Sequence, residues 1–336
     1  MTEPSDAVET APEVPVPPLA VGPQPSLATD IIELGPVSAA EALSYQSGLD
    51  MVARSQWWYA RHRFLRHRLA MGSIVVIVIV FVAGALASVL APYGRDALNL
   101  TAISQSPSLH HLFGTDQLGR DYFSRTLYGI QTTETVSLLV AFLATTIGLL
   151  IGAVSGYYGG WLDNLLMRVT ALFLVVPALA VLLVAAKFLG HGSAYRIAFI
   201  LGFLFWTNIA RIVRGSYLSL KEKEYVEAAK AAGAGDLRIM FRHILPNTIG
   251  PIVVSATLLT GLAILTESVI SFLGFGIQPP IPSLGNLISD GEAAGLSLWW
   301  LVTFPGLTIV LIILCVNFIG DGLRDALDPT QRRIRA

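Results

Sequence analysis

MGSIVVIVIVFVAGALASVL, residues 71–90, decides the class of fold: it contains no Asp, Glu, Lys or Arg. A bilayer core is about 30 Å thick and a helix rises about 1.5 Å per residue, so about 20 apolar residues make one crossing. Working outward, five more stretches read the same way: 135–156, 169–186 interrupted by Pro177, 197–210 between Arg196 and Arg211, 248–270 carrying Glu267, and 298–320 opened by Trp299 and Trp300. The 197–210 stretch is short and reaches full length if its flanking arginines snorkel. Trp299 and Trp300 read as an interfacial anchor. The composition of all 336 residues agrees. Apolar types make up 54% and charged types 13%, about half the roughly 25% usual in soluble domains. The expected fold class is an all-α membrane protein with six transmembrane helices.

The formal net charge of −1 conceals an uneven distribution. Residues 1–53 contain no Lys or Arg and eight acids, while the remaining chain is +7. Eight of the 18 prolines fall within the first 36 residues. Acidic, proline-rich and poor in aromatics, 1–53 reads as a disordered cytoplasmic tail. It lacks the basic start and apolar core of a signal peptide. The absence of a basic excess argues against a nucleic-acid partner. The single cysteine, Cys315, excludes an internal disulfide and a cysteine-cluster metal site.

Basic residues set the expected orientation. With the N-terminus cytoplasmic, 17 of the 22 Lys and Arg residues fall inside and five outside, which predicts both termini in the cytoplasm. On this reading 54–70 is a basic and aromatic juxtamembrane segment that anchors to anionic lipid, 71–90 is the first transmembrane helix, and 91–134 is an extracytoplasmic loop. Residues 135–320 form the core, with a cytoplasmic loop at 211–247, and 321–336 are a cytoplasmic C-terminus.

That loop, RIVRGSYLSLKEKEYVEAAKAAGAGDLRIMFRHILPN, carries seven of the inside charges. Residues 218–232 are strong helix formers without Gly or Pro. Gly233 is placed to stop the helix in a left-handed conformation. Asp236 is a candidate N-cap for a second helix over 237–244, closed by Pro246. Tyr225, Ala228, Ala229 and Ala232 share one stripe of the first helix, edged by Glu224, Glu227 and Lys230. Small residues let another backbone approach. Such a helix suits docking into a groove on a soluble partner, lying on a lipid surface, or packing within the chain.

Glu227-Ala228-Ala229, Gly233 and Leu245-Pro246 resemble the EAA signature of permease subunits of ABC importers. His243 stands where the family pattern has Ile, a departure shared by its peptide-transporting branch. The resemblance extends over about residues 60–330. His111-Leu112-Phe113-Gly114-Thr115-Asp116 with Leu118-Gly119-Arg120-Asp121 looks like a segment after the first span in C-type dipeptide/oligopeptide permeases. Ser271-Phe272-Leu273-Gly274-Phe275-Gly276, Gln278-Pro279-Pro280 and Gly320-Asp321-Gly322-Leu323-Arg324-Asp325 match that branch too.

The resemblance implies a type I ABC importer permease fold in the plasma (inner) membrane of a prokaryote. It implies a heterodimer with a second, B-type permease subunit, one or two ATPase subunits, an extracytoplasmic solute-binding protein and a peptide substrate; glutathione and nickel complexes are also carried in the branch. The EAA loop would be a coupling helix seated in an ATPase cleft, with Tyr225, Glu227, Ala228, Ala229, Gly233, Leu245 and Pro246 as coupling residues. ATP binding would close the ATPase pair and switch the permeases between inward- and outward-facing forms. None of the four lysines follows Gly as a P-loop lysine does, so no cofactor is expected on this chain, and ATP and Mg²⁺ belong to the partner.

Glu267 is the one acid inside an expected span, and intramembrane carboxylates are commonly functional. With Ser271 and Phe272 it is a candidate for the translocation path or a gate; near the outer boundary it also fits a structural role. His110-His111 lacks a third ligand at metal-binding spacing. Pro177, Pro251 and Pro305 are expected kinks. The 91–134 and 271–297 segments are long enough to receive a partner at the outer face. No nucleophile–base or paired-carboxylate site presents itself, so no enzyme activity is expected of the chain itself. Two other classes stay open on the residues alone. A secondary transporter would usually show several intramembrane ionisable groups and an internal repeat, and a membrane scaffold needs only the docking helix.

Overall fold

The computed structural model describes residues 56–189 and 193–327; the acidic tail expected over 1–53, and Arg332, Arg333 and Arg335, lie outside them. In chain order the elements are α1 (Gln56–Arg66), α2 (Arg68–Ala85), α3 (Ala87–Leu90), α4 (Tyr122–Tyr158), α5 (Gly160–Val175), α6 (Ala178–Leu189), α7 (Ala194–Leu220), α8 (Glu224–Ala231) and α9 (Asp236–Arg238). A π-helical turn, Ile239–Ile244, then leads into α10 (Leu245–Phe272), α11 (Leu284–Ala294), a 3₁₀ turn (Leu296–Leu298) and α12 (Trp300–Leu327). Among the described residues there is no strand.

By length and composition α2, α4, α7, the α9–α10 run and α12 are each able to cross a membrane. The α5–α6 pair meets the same test jointly and is bent by 77° at its break. Pro177 sits in that break, and Val176 before it is extended, as a residue preceding proline prefers. At the start of α5, Asp163 meets Arg214 of α7 and Ser155 of α4. In α6, Leu182 shares a core with Ile197 at the start of α7 and Ile277 beyond α10. The bent pair therefore runs from one end of the bundle to the other.

The surface is apolar, with Ile79, Phe142 and Leu172 all more than 60% exposed. Such a surface belongs in lipid, where association depends on close backbone packing rather than on hydrophobicity. The contact between α4 and α7 shows this. Gly148, Gly152 and Gly156 form a stripe on α4 at four-residue spacing, and a Cβ on each would lie 2.7, 2.4 and 2.6 Å from Trp206, Ala210 and Tyr217 of α7.

The 91–121 segment is a tied knot, and the quoted HLFGTD and LGRD residues tie it. Asp121 caps α4 through the Ser124 N–H (2.8 Å), and its other oxygen is 2.9 Å from His111 Nδ1. Asp116 accepts from the Leu118 and Arg120 amides, from Arg120 Nε (2.6 Å) and from Arg125 (3.2 Å). Arg125 also reaches Asp290 of α11 at 3.3 Å while being 1% exposed. Removing one member of a buried ion-pair network leaves its partners uncompensated, at a cost of about 3–5 kcal/mol. Arg125→Leu is therefore expected to lower subunit stability by about that amount; an unchanged thermal unfolding midpoint in detergent would contradict this.

Three local expectations change. The α4 helix starts at Tyr122, because Asp121 caps it, so the end of the expected 91–134 loop is helical. Trp300 is not an interfacial anchor: it is 5% exposed and its indole N–H donates to the Thr115 carbonyl at 3.2 Å. Trp299 remains exposed. The 271–297 segment contains α11, a helix started by a reciprocal Ser283–Asn286 capping box.

Candidate functional site

The 211–247 segment folds as a compact unit. The α7 helix continues to Leu220, the chain turns over Lys221–Lys223, and α8 follows. A single helix over 218–232 is expected from propensity, and the break has a tertiary cause. Val226 is fully buried with Ile239, Met240 and Ile244 against Trp206, Val213 and Tyr217, and a continuous helix would not deliver it there. Glu224 and Glu227 in the first turn and Lys230 in the last suit the helix dipole.

Gly233 ends α8 with φ +80°. The Ala234 N–H bonds to the Ala229 carbonyl (3.0 Å) and the Gly233 N–H to that of Lys230 (2.9 Å), the reciprocal pair of a Schellman end. A Cβ on Gly233 would touch nothing within 4 Å, so glycine is required here for conformation and not for space. The N-cap of the next helix is Gly235, and Asp236 is its first residue. Asp236 accepts instead from the Tyr157 hydroxyl at the end of α4 (2.7 Å). Pro246 closes nothing. It stands in the first turn of α10, where the missing N–H costs least, and the chain runs into that helix through the π turn.

The coupling candidates are thereby sorted. Tyr225 (41% exposed), Glu227 and Ala228 are exposed, Ala229 is half-buried, and Ala232 lies exposed on the same stripe. Tyr225 is held by Asn247, whose amide reaches its hydroxyl at 3.4 Å and the His243 carbonyl at 2.8 Å. Partial burial pushes the Tyr225 phenol above its ordinary range. Leu245 packs on the shared core and Pro246 is exposed. The unit thus turns its valine inward and its tyrosine and alanines outward.

Glu267 and Ser271 lie together at the far end of α10, both buried. Glu267 accepts from Thr133 of α4 (3.1 Å) and from Ser271 (2.7 Å), and the Ser271 oxygen accepts from the Ile277 N–H (3.1 Å). Gly285 of α11 packs so closely that a Cβ would lie 2.1 Å from the Ser268 carbonyl. The group joins α4, α10 and α11. Phe272 is 38% exposed and outside it. A cavity of about 530 Å³ opens between α2, α4, α10 and α12, lined by Phe81, Phe142, Thr145, Thr257 and Thr260 among others; Glu267, Ser271 and Phe272 do not line it.

Sequence reasoning missed three features. The glycine stripe of α4 was visible as spacing. Tyr217 and Tyr157, which reach the 236–244 segment from two helices, carried no motif. The third is the forked pair of Arg214 with Asp163 (2.6 Å for both bonds), joined by the Ser155 hydroxyl, between groups 51 residues apart.

Residues 148–333 match the family model described as the inner membrane component of binding-protein-dependent transport systems. Residues 55–107 match that of the N-terminal transmembrane domain of oligopeptide transport permease C. Among similar proteins, the oligopeptide transport system permease protein OppC of Mycobacterium tuberculosis is 40% identical, over 81% of this chain and 94% of its own length. OppC of Haemophilus influenzae is 38% identical over 84% and 92%. The dipeptide transport system permease protein DppC of Bacillus subtilis is 39% identical over 84% and 90%.

Proposed function

The chain belongs to the family of inner membrane components of binding-protein-dependent transport systems, with the type I permease fold and a multi-pass place in the bacterial inner membrane, and from that premise we propose that it is a C-type permease subunit of an ATP-driven importer of di- and oligopeptides. It forms half of the translocation pathway beside a B-type permease. One or two ATPase subunits bind ATP and Mg²⁺ on the cytoplasmic side, and a solute-binding protein delivers peptide to the outer face. Both termini are cytoplasmic.

The observation that carries the coupling assignment is the two-sided character of α8. Its outer stripe is open, with Tyr225, Glu227, Ala228 and Ala232 available to a partner, while Val226 sits in the core of α7 and the π turn. A partner gripping the open stripe moves the buried valine with it, and cores transmit such displacement because they are close-packed. Ala228 and Ala229 permit near backbone approach, and Glu227 offers a carboxylate at the rim. The names of the relatives support peptide as the cargo.

The test is reconstitution of the complete complex, with its ATPases, second permease and binding protein, in liposomes. Uptake into the lumen of the peptide retained by that binding protein is expected to require both the binding protein outside and ATP enclosed in the lumen, on the ATPase side. Peptide uptake driven by an ion gradient without the ATPases would overturn the proposal.

A further inference from the structure

The chain connections of the α8 unit do not by themselves fix its position. It hangs from α7 by the Lys221–Lys223 turn and is followed by Gly233 and Gly235, where a Cβ would meet nothing within 4 Å. It continues into α10 through the π turn, where the Leu245 N–H bonds to the Met240 carbonyl five residues back. Such wide turns are tolerated where a side chain satisfies their carbonyls and are frequent at functional sites. Here the side chain is Tyr217. It is 0% exposed in the last turn of α7, and its hydroxyl donates to that same Met240 carbonyl at 3.0 Å.

Tyr157 makes the matching contact from the last turn of α4. Its hydroxyl donates to Asp236 Oδ1 at 2.7 Å, so the 236–244 segment is held at its start and at its middle by phenols from two different helices. Those two helices act as one body. Tyr217 lies directly over Gly156, the Lys221 ammonium donates to the Gly156 carbonyl at 3.2 Å, and the glycine stripe continues the contact through Gly152 to Gly148. The aligned backbones leave no room for α4 to slide on α7.

We infer that Tyr157 and Tyr217 are positioning residues for energy coupling: their hydroxyls transmit movement of the α8 unit to the joined α4–α7 pair. The inference rests on the coupling role proposed for α8. Without the two bonds only the Val226 core ties the unit to the bundle; the unit yields at the Lys221–Lys223 turn and the glycines, and the bundle follows it less closely. ATP is then hydrolysed with less peptide moved.

The experiment uses the full reconstituted complex carrying Tyr157→Phe, Tyr217→Phe or both, changes that keep the rings and remove the hydroxyls. The readouts are peptide transported per ATP hydrolysed and the amount of ATPase co-purifying with the permease. Coupling energies of this kind correspond to about fivefold or more, so the double variant is expected to lose at least about fivefold in peptide per ATP with co-purification unchanged. A wild-type ratio in the double variant overturns the inference, provided Gly233→Pro abolishes uptake. If Gly233→Pro also transports normally, the coupling reading of α8 itself is wrong. Because the ratio is taken per assembled complex, lower subunit yield with an unchanged ratio means a merely structural role and overturns the inference as well. Tyr157 is only half-buried, so Tyr157→Phe alone reads the α4 arm if Tyr217→Phe does not assemble.

Discussion

Gly152→Val is expected to remove the folded subunit from the membrane. A valine Cβ there would lie 2.4 Å from the Ala210 carbonyl oxygen and 2.8 Å from Val213 Cβ. Neither neighbour is a flexible side-chain end, so α4 and α7 must separate along their whole contact. Overpacking a dense core commonly costs about 1–3 kcal/mol, and occasionally more; displacement of a helix backbone belongs at the upper end. Lipid offers no compensating hydrophobic gain, because the separated faces meet chains as apolar as themselves. Gly72→Val supplies the control, since a Cβ at Gly72 meets nothing within 4 Å. Inserted protein and the unfolding midpoint in detergent measure both variants. If Gly152→Val matches Gly72→Val, the glycine stripe does not hold the bundle.

The second large effect is expected at Gly233, and it separates function from folding. Proline locks φ near −65° and has no N–H, whereas this position has φ +80° and donates to the Lys230 carbonyl at 2.9 Å. Gly233→Pro therefore destroys the end of α8 and redirects the chain leaving it. The position is exposed and a Cβ there touches nothing within 4 Å, so the subunit is expected to insert normally while ATP-driven uptake falls to background. Gly233→Ala meets no neighbour and carries only the left-handed strain, about 1–2 kcal/mol, so partial uptake is expected. Uptake into right-side-out or reconstituted vesicles loaded with ATP, normalised to inserted subunit, decides it; normal uptake by Gly233→Pro would falsify the coupling assignment.

The 211–247 segment shows how local chemistry and packing divide the explanation. Gly233 was legible because a helix stop needs a residue free of the Cβ penalty at positive φ. The break at Lys221–Lys223 was not, because 218–232 are helix formers and only the pull of Val226 into a core shared with α7 opposes them. Pro246 was misplaced for the same kind of reason: proline stops a helix from behind but is tolerated in the first turn of the next one. The position of Trp300 at the start of an apolar run suits an interfacial anchor, but the acceptor of its N–H is the Thr115 carbonyl, 185 positions away, which no local pattern announces.

The sequence alone determined that this chain lives in lipid, roughly where it crosses, and which loop bears the stripe of tyrosine and alanines. These properties depend on runs of apolar residues, helix-stop chemistry and a spacing of three to four residues, all local in the chain. The tertiary structure decided which face of α8 is open, that Glu267 is enclosed by hydroxyls from α4 and its own helix, and that Tyr157 and Tyr217 meet the 236–244 segment. Those depend on groups 23 to 134 positions apart, which meet only where helices distant in the chain pack side by side.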